Sequence, residues 1–468
     1  MSYKQVFYNE LRRCFNGNVP DKLLVALSGG VDSMCLTYLL ADYKRTYQPS
    51  LDIHALTIDH GYRNESTQEA KEVGEQVSQW GIKHQIKKLD YGRNLNEITN
   101  FEEVARTLRY EAFQDSCHNL GIGSILVAHN LDDQIETFLQ RLQMNSTLFG
   151  LASLKGRSPF PSKPRGPVER MPPLTVCRPV LSLSKPEIIQ VCQKNQVNWF
   201  EDKTNADPTV TKRNWLRHHL PNIDDKKHPL SREQLLRSIN DIGNTREVLE
   251  SHIDKLDKYI RTYGNFKFDK AQAAISFTVP LSFWSKLHES VAGRWLYNLM
   301  YPISSSDNYH WSYAKIERLA IPRINEFLTS PSNNKLSLTY LNVKLDIESA
   351  DHDTLNIQLS RQPTERRLRA ASTIDLHLTE SPSEWVLFNN IWWLSISDKK
   401  ARKVRIEQYN SSMKAKLSKT FPKVRRVSRG IPIVINDTND EVLALPTLGS
   451  TVPGVNVEWY VKAASNAE

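Results

Sequence analysis

A chain of 468 residues is too long for one compact core, so two or three domains are expected. Charged residues make up 24%, and no apolar run approaches the ~20 residues that a membrane-spanning helix needs, which excludes that class. The net charge of +9 suggests a polyanionic partner; five scattered cysteines without a C-x-x-C pair fit a reducing compartment and offer neither a zinc ribbon nor a sulfur-relay dithiol.

At the start of the chain, Lys4, Arg12 and Arg13 alternate with Val6, Phe7, Leu11 and Phe15. This fits an amphipathic targeting helix or an ordinary first helix of the fold, and Glu10 weakens the targeting reading. From there strand-like and helix-like stretches alternate. Leu23–Leu27, Leu51–Ile58, Lys83–Leu89 and Ser124–Ala128 read as strands; Val31–Lys44, Ser66–Trp80, Phe101–Leu120 and Asp132–Leu142 read as helices. Such alternation implies a parallel sheet covered on both faces, with ligands bound beyond the carboxyl ends of its strands.

Between the first strand and first covering helix lies Ser28-Gly29-Gly30-Val31-Asp32-Ser33. Two glycines let backbone approach an anion closely, and the hydroxyls of Ser28 and Ser33 add donors. The helix N-terminus contributes free N–H groups and the positive end of its dipole. A Walker A loop would end in Gly-Lys-Ser/Thr, and a dinucleotide fingerprint would read G-x-G-x-x-G; neither is present.

Gly156–Pro173 holds six prolines and reads as a loop, and Ser184 with Glu187 reads as a capping box opening a further helix. Beyond Pro221 the character changes. Leu230–Tyr263 and Pro280–Met300 read as helical, giving a mostly helical middle domain; from about Glu365 short β-like runs (Trp385–Phe388, Ile391–Ile396, Ile431–Ile435, Val442–Leu445) suggest a small α+β domain. The expected domains are 1–222, 223–364 and 365–468. Within the last, Ala401–Gly430 carries ten Lys or Arg against one acid, Glu407. This is either a solvated face or a surface for an RNA backbone.

The loop at residues 28–33 resembles that of the PP-loop pyrophosphatase superfamily, whose members cleave ATP between the α and β phosphates. Four further segments narrow the resemblance. They are Asp59-His60-Gly61-Tyr62-Arg63, Glu103 through Tyr110, Ala128 through Thr137, and the run from Arg178-Pro179 through Trp199, Asp202, Asn205, Lys212-Arg213-Asn214 and Arg217 to Pro221. In this order they are similar to the tRNA(Ile)-lysidine synthetase family over residues 22–222, and weakly again at Lys416-Leu417, Arg429 and Pro432. The chain departs from the pattern at Asn130, where the family has a second histidine, and at Gln143–Thr147, where it has an Arg-Gly-rich turn.

The resemblance implies an α/β domain of the adenine nucleotide α-hydrolase-like type and a ligase that uses ATP and Mg²⁺. It would activate ring carbon 2 of the wobble cytidine in a tRNA(Ile) with a CAU anticodon, after which the amine of free L-lysine displaces AMP. Ser28, Gly29, Gly30, Val31, Asp32, Ser33 and Asp59 are then the ATP-binding residues, with Asp32 also a metal ligand, although that position suits a helix cap as well. His129 and Asp133, four apart across a strand end and a first helical turn, could face one pocket. With Asp32 and Arg213 they make the candidate catalytic set. Asp132, Asp133, Glu136 and Arg106 are the candidate lysine site, the carboxylates serving to bind the cation and take its proton. Arg213 and Arg217, at i,i+4, could clamp a phosphate or form an exposed ion-paired face. Arg217, Lys423, Arg425, Arg426 and Arg429 would meet tRNA.

Two other readings stand beside this one: a PP-loop tRNA thiolase, for which Cys35 has no partner in sequence, and a tRNA-binding relative that has lost catalysis. No membrane partner is expected, and a homodimer is left open. Divergence from the family pattern suits an organellar member in the mitochondrial matrix, with the bacterial cytoplasm as the alternative.

Overall fold

The computed structural model describes residues 2–61, 66–92, 100–161, 164–201, 228, 230–306, 313–329, 335–349, 353–362, 373–424 and 427–462. The expected domain boundaries at 222/223 and 364/365 lie outside these residues, as do Arg213, Arg217, Arg425 and Arg426. The chain divides into two compact units: Met1–Lys163 with Pro173–Arg246, and Pro164–Pro172 with Glu247–Glu468.

In the first unit, helix α1 (Tyr3–Cys14) precedes β1 (Lys22–Ala26), α2 (Val31–Tyr47), β2 (Asp52–Asp59), α3 (Ser66–Gln79), β3 (Lys83–Lys88), α4 (Phe101–Leu120) and β4 (Ser124–Leu126). Then come α5 (Leu131–Gln143), α6 (Leu148–Leu151), β5 (Arg157–Pro159), β6 (Thr175–Cys177) and α7 (Lys185–Lys194). The sheet order is β3-β2-β1-β4-β6-β5, parallel except for β5. Leu23, Leu24 and Val25 of β1 are all buried, the continuous apolar run expected of a strand covered on both faces. Helix α1 belongs to this core: Phe7 and Leu11 are fully buried, Lys4 pairs with Asp42 at 3.0 Å, and Arg12 lies over the Tyr47 ring. Of the two readings of its pattern, the ordinary first helix describes what these residues do.

The order of the strands locates the site. From β1 the chain moves outward to β2 and β3, then returns to place β4 on the other side of β1. This reversal opens a crevice beyond the carboxyl ends of β1 and β4. The Ser-Gly-Gly loop and the His129–Asp133 turn follow those two strands.

Two expectations are corrected. The proline-rich segment contains β5, a three-residue edge strand antiparallel to β6 in which Ser158 faces Val176; Pro159 is tolerated because it closes an edge strand. The stretch expected to be mostly helical holds a five-stranded antiparallel sheet of β7 (Lys267–Asp269), β8 (Ala274–Pro280), β9 (Lys335–Tyr340), β10 (Val343–Ser349) and β11 (Thr354–Arg361), in the order β7-β8-β11-β10-β9. Its inner face stacks Phe277, Ile357 and Ile347 across three strands, with Ile275, Leu359 and Leu345 beside them. Helices Arg232–Tyr263 and Glu289–Met300 are present as expected.

The β-like runs near the C-terminus form two antiparallel sheets. One joins β12 (Ile374–His377), β15 (Lys403–Gln408), β16 (Pro432–Asn436), β17 (Val442–Leu445) and β18 (Ser450–Thr451); the other joins β13 (Val386–Phe388), β14 (Trp392–Asp398) and β19 (Val455–Val461). With the short helix Lys414–Thr420 this region is mostly sheet.

Candidate active site at the strand ends

The loop after β1 is built around two conformational requirements. Gly29 has φ +81°, in the left-handed region, and a Cβ there would stand 3.0 Å from Val73 Cγ2. Its carbonyl accepts the Phe200 N–H at 3.0 Å, which fixes the turn. Gly30 is the N-cap of α2 and, having no side chain, leaves the first amides of that helix uncapped. Ser33 Oγ donates to the Gly30 carbonyl at 3.0 Å and accepts the Ser28 N–H at 3.2 Å, with Ser28 Oγ 3.1 Å away. The uncapped amides of a helix N-terminus thus sit beside the Ser28 and Ser33 hydroxyls, which bond to each other and to the Gly30 carbonyl. This is the donor set an anion of phosphate type fits. Residues 28–33 contain no lysine or arginine of their own.

Across the crevice, Asn130 is the N-cap of α5. Its side-chain oxygen accepts the N–H groups of Asp132 and Asp133 at 2.9 and 3.1 Å, while Asp133 Oδ2 accepts the Asn130 N–H at 2.9 Å. This reciprocal capping box explains how asparagine serves at a position where the resemblance called for histidine. The remaining Asn130 amide hydrogens point away from the helix. Nδ2 donates to Asp32 Oδ1 at 3.0 Å, tying the loop after β1 to the turn after β4. Asp32 is therefore no helix cap. Its other oxygen accepts Lys185 Nζ at 2.6 Å.

Lys185 opens α7, where Glu187 accepts bonds from the Ser184 N–H and hydroxyl as the capping-box spacing predicts. The Lys185 N–H donates to Asp132 Oδ2 at 2.9 Å, and Arg232 donates to the other oxygen of Asp132. Burial would raise the Asp132 carboxyl, but these donors hold it below the ordinary carboxylate value, so it stays ionised. Asp133 and Glu136 are buried one turn apart on α5.

His129 faces a different neighbour. Its Nδ1 accepts from Arg178 Nε at 3.3 Å, and Arg178 is held by the Lys155 carbonyl and Ser158 hydroxyl, both at 2.9 Å. With Nδ1 accepting, the neutral ring carries its proton on Nε2. His129 thus turns one ring nitrogen to Arg178, while the Asp133 carboxylate folds back on its own helix to the Asn130 N–H.

The other expected residues are placed outside this cluster of contacts. Asp59 closes β2, where its carboxylate accepts the Gly61 N–H at 2.8 Å and the Thr67 hydroxyl at 2.6 Å. Arg106 is exposed on α4, its guanidinium 5.0 Å from the Tyr110 ring. Val31 is buried, and its carbonyl accepts from Cys192 Sγ at 3.7 Å. Among the described residues no group of three or more His, Cys, Asp or Glu is arranged to hold a metal ion.

Residues 3–223 match the model of the PP-loop domain. Over 261 residues it is 31% identical to the tRNA(Ile)-lysidine synthase of Thermosipho africanus, covering 56% of this chain and 54% of that one. Over 212 residues it is 34% identical to that of Staphylococcus aureus, covering 44% and 45%. The chain thus spans about half the length of these relatives. A probable tRNA(Ile)-lysidine synthase of Schizosaccharomyces pombe is 26% identical over 459 residues, 95% of this chain and 94% of its own.

Part of the basic segment Ala401–Gly430 is ion-paired with acids just outside it. Arg402 pairs with buried Asp398; Arg405 pairs with Glu407, Asp437 and Asp440; Lys416 pairs with Asp440. Lys414, Lys419, Lys423 and Arg429 are exposed.

Proposed function

We propose that this protein is a tRNA(Ile)-lysidine synthase, which uses ATP to activate the wobble cytidine of a CAU-anticodon tRNA and joins lysine to ring carbon 2. The observation that carries the reading is the Asp32–Asn130 bond. It makes one wall of the loop suited to pyrophosphate and the turn that bears His129, Asp132 and Asp133. Nucleotide and amine can then meet at the same base. The cytidine oxygen on carbon 2 attacks the α-phosphate and pyrophosphate leaves. The lysine amine, its proton passed to a carboxylate of α5, adds to that carbon, and AMP departs with the oxygen.

The chain's own residues divide this work. Loop amides and the hydroxyls of Ser28 and Ser33 take the charge growing on pyrophosphate. Asp132, Asp133 and Glu136 receive the cationic lysine, and His129 donates to an oxygen of the adenylated base. Mg²⁺ is commonly held by one or two carboxylates plus substrate phosphates, so Asp32 alone suits an ion that arrives with ATP and neutralises its phosphates. Arg213 and Arg217 remain the proposed phosphate clamp.

A thiolase would need a thiolate. All five cysteines are buried; a hydrogen bond with Cys177 lowers the Cys14 thiol, but Cys35, the one that follows the loop, is pushed far up by its hydrogen bond to Cys192 and by burial, which favours the lysine reading. Pyrophosphate–ATP exchange that requires a CAU-anticodon transcript tests the activation half; exchange that ignores tRNA would contradict it.

For tRNA binding, Lys414, Lys419, Lys423 and Arg429 are the proposed phosphate ligands of the tail. Replacing all four with Ala should flatten the salt dependence of tRNA affinity, by about 0.7–0.9 in slope for each RNA phosphate no longer neutralised. Replacing Arg402 and Arg405, already neutralised, should lower the melting temperature and leave the slope alone. Equal slopes in the wild type and the four-residue variant would remove the tail from the interface.

A further inference from the structure

A Walker A loop carries its own lysine to the β and γ phosphates, whereas the loop at residues 28–33 carries no cation. Pyrophosphate is nonetheless a multiply charged leaving group, and amides and hydroxyls contribute only partial charges against it. We propose that Lys185 supplies the missing cation, exchanging Asp32 for the pyrophosphate of bound ATP.

Three observations support this. The ammonium lies 2.6 Å from Asp32 Oδ2, and Asp32 is two residues beyond Gly30, so the charge already sits at the loop. Its side chain is 42% exposed, so the ammonium reaches solvent and can change partners without crossing the core. Its backbone is fixed: the Lys185 N–H is held by Asp132, and α7 runs alongside α2, with Cys192 Sγ donating to the Val31 carbonyl and Tyr38 Oη to Asn195 Oδ1. Asp32, Val31 and Tyr38 of α2 thus meet Lys185, Cys192 and Asn195 of α7 and its C-cap, which holds the two helices side by side. Without nucleotide, Asp32 acts as a counter-ion that keeps Lys185 in place. The swap releases the Asp32 oxygen that the metal would use.

The proposal rests on residues 28–33 being a pyrophosphate site and is independent of which base is modified. Calorimetric titration of the full chain with inorganic pyrophosphate, and separately with AMP, tests it. Lys185→Ala should weaken pyrophosphate binding about tenfold or more, a loss of about 1.4 kcal/mol per factor of ten, while AMP affinity changes by less than about threefold. Lys185→Arg should recover most of the loss. Without Mg²⁺, Asp32→Asn should bind pyrophosphate more tightly than the wild type, because the carboxylate no longer competes for the ammonium. This second variant retains Lys185, so it decides the matter even where Lys185→Ala folds poorly. Pyrophosphate affinity unchanged in Lys185→Ala, or unimproved in Asp32→Asn, overturns the proposal. Lysidine formation is read separately: Lys185-dependent pyrophosphate binding without any lysine transfer would sink the proposed reaction and leave Lys185 assigned.

Discussion

Gly29→Val should abolish pyrophosphate–ATP exchange, a loss of at least about 10²-fold on the scale of a removed electrostatic cradle. Two independent effects combine. The backbone at Gly29 holds φ +81°, a region where a β-branched residue costs on the order of 1–3 kcal/mol, and the new Cβ would press on Val73 Cγ2 at 3.0 Å. The turn would open, and the bond from the Phe200 N–H to the Gly29 carbonyl would be strained with it. A lower melting temperature should therefore accompany the lost exchange. Gly30→Ala separates fold from chemistry. Gly30 sits at φ −73°, and a Cβ there would meet only the Ser28 hydroxyl, at 3.6 Å. That variant should melt like the wild type yet exchange more slowly, because its methyl occupies the approach to the α2 amides. Full exchange in Gly29→Val would remove the loop from the nucleotide site.

Asp133→Asn should cut lysine transfer by roughly 10²-fold while leaving the melting temperature near that of the wild type. The Asp133 side chain holds the Asn130 N–H at 2.9 Å. An asparagine carbonyl can accept that bond, so the capping box survives and only the charge is removed. Asp133→Ala removes both, and the cap alone is worth about 1 kcal/mol. Comparing the two by transfer rate and thermal unfolding assigns Asp133 either to chemistry or to the start of α5. If Asp133→Asn transfers lysine at the wild-type rate with lysine saturating, the carboxylate is structural.

The sequence pattern was most legible where one period dominates. The helix Phe101–Leu120 and the start of α2 fall where periodicity and the glycine turn put them, and the strands agree to within two residues. The middle sheet was equally written in period two. Val343, Leu345 and Ile347 alternate with polar residues, as do Leu355, Ile357 and Leu359, and all six are buried. The flanking long helix Arg232–Tyr263 drew that stretch toward a helical reading. Strand β6 has three residues, too few for any period to register.

At the site, the loop and the acidic turn were readable because each is one contiguous motif. Their connection was not. Asn130 looked like a departure, yet an asparagine three residues before Asp133 is a helix-start signal in its own right. Lys185 was missed: the Ser184–Glu187 capping box marks the start of α7, but no pattern could give that α7 runs beside α2 and sets this side chain against Asp32. Arg232 lies 100 residues from its partner Asp132 and left no local signal. The tail was legible only in part: charge was counted along the chain, while Asp398, Asp437 and Asp440, outside that run, pair with Arg402, Arg405 and Lys416, Asp398 as the i,i+4 neighbour of Arg402.

The most direct measurement is mass spectrometry of a CAU-anticodon tRNA(Ile) transcript after incubation with the protein, ATP, Mg²⁺ and isotopically heavy lysine. The account predicts heavy lysine attached at the wobble cytidine alone, formed with release of AMP and pyrophosphate and lost when ATP is replaced by an analogue that cannot be cleaved between the α and β phosphates. A wobble cytidine of unchanged mass, or one carrying sulfur when a sulfur donor is supplied, would contradict it.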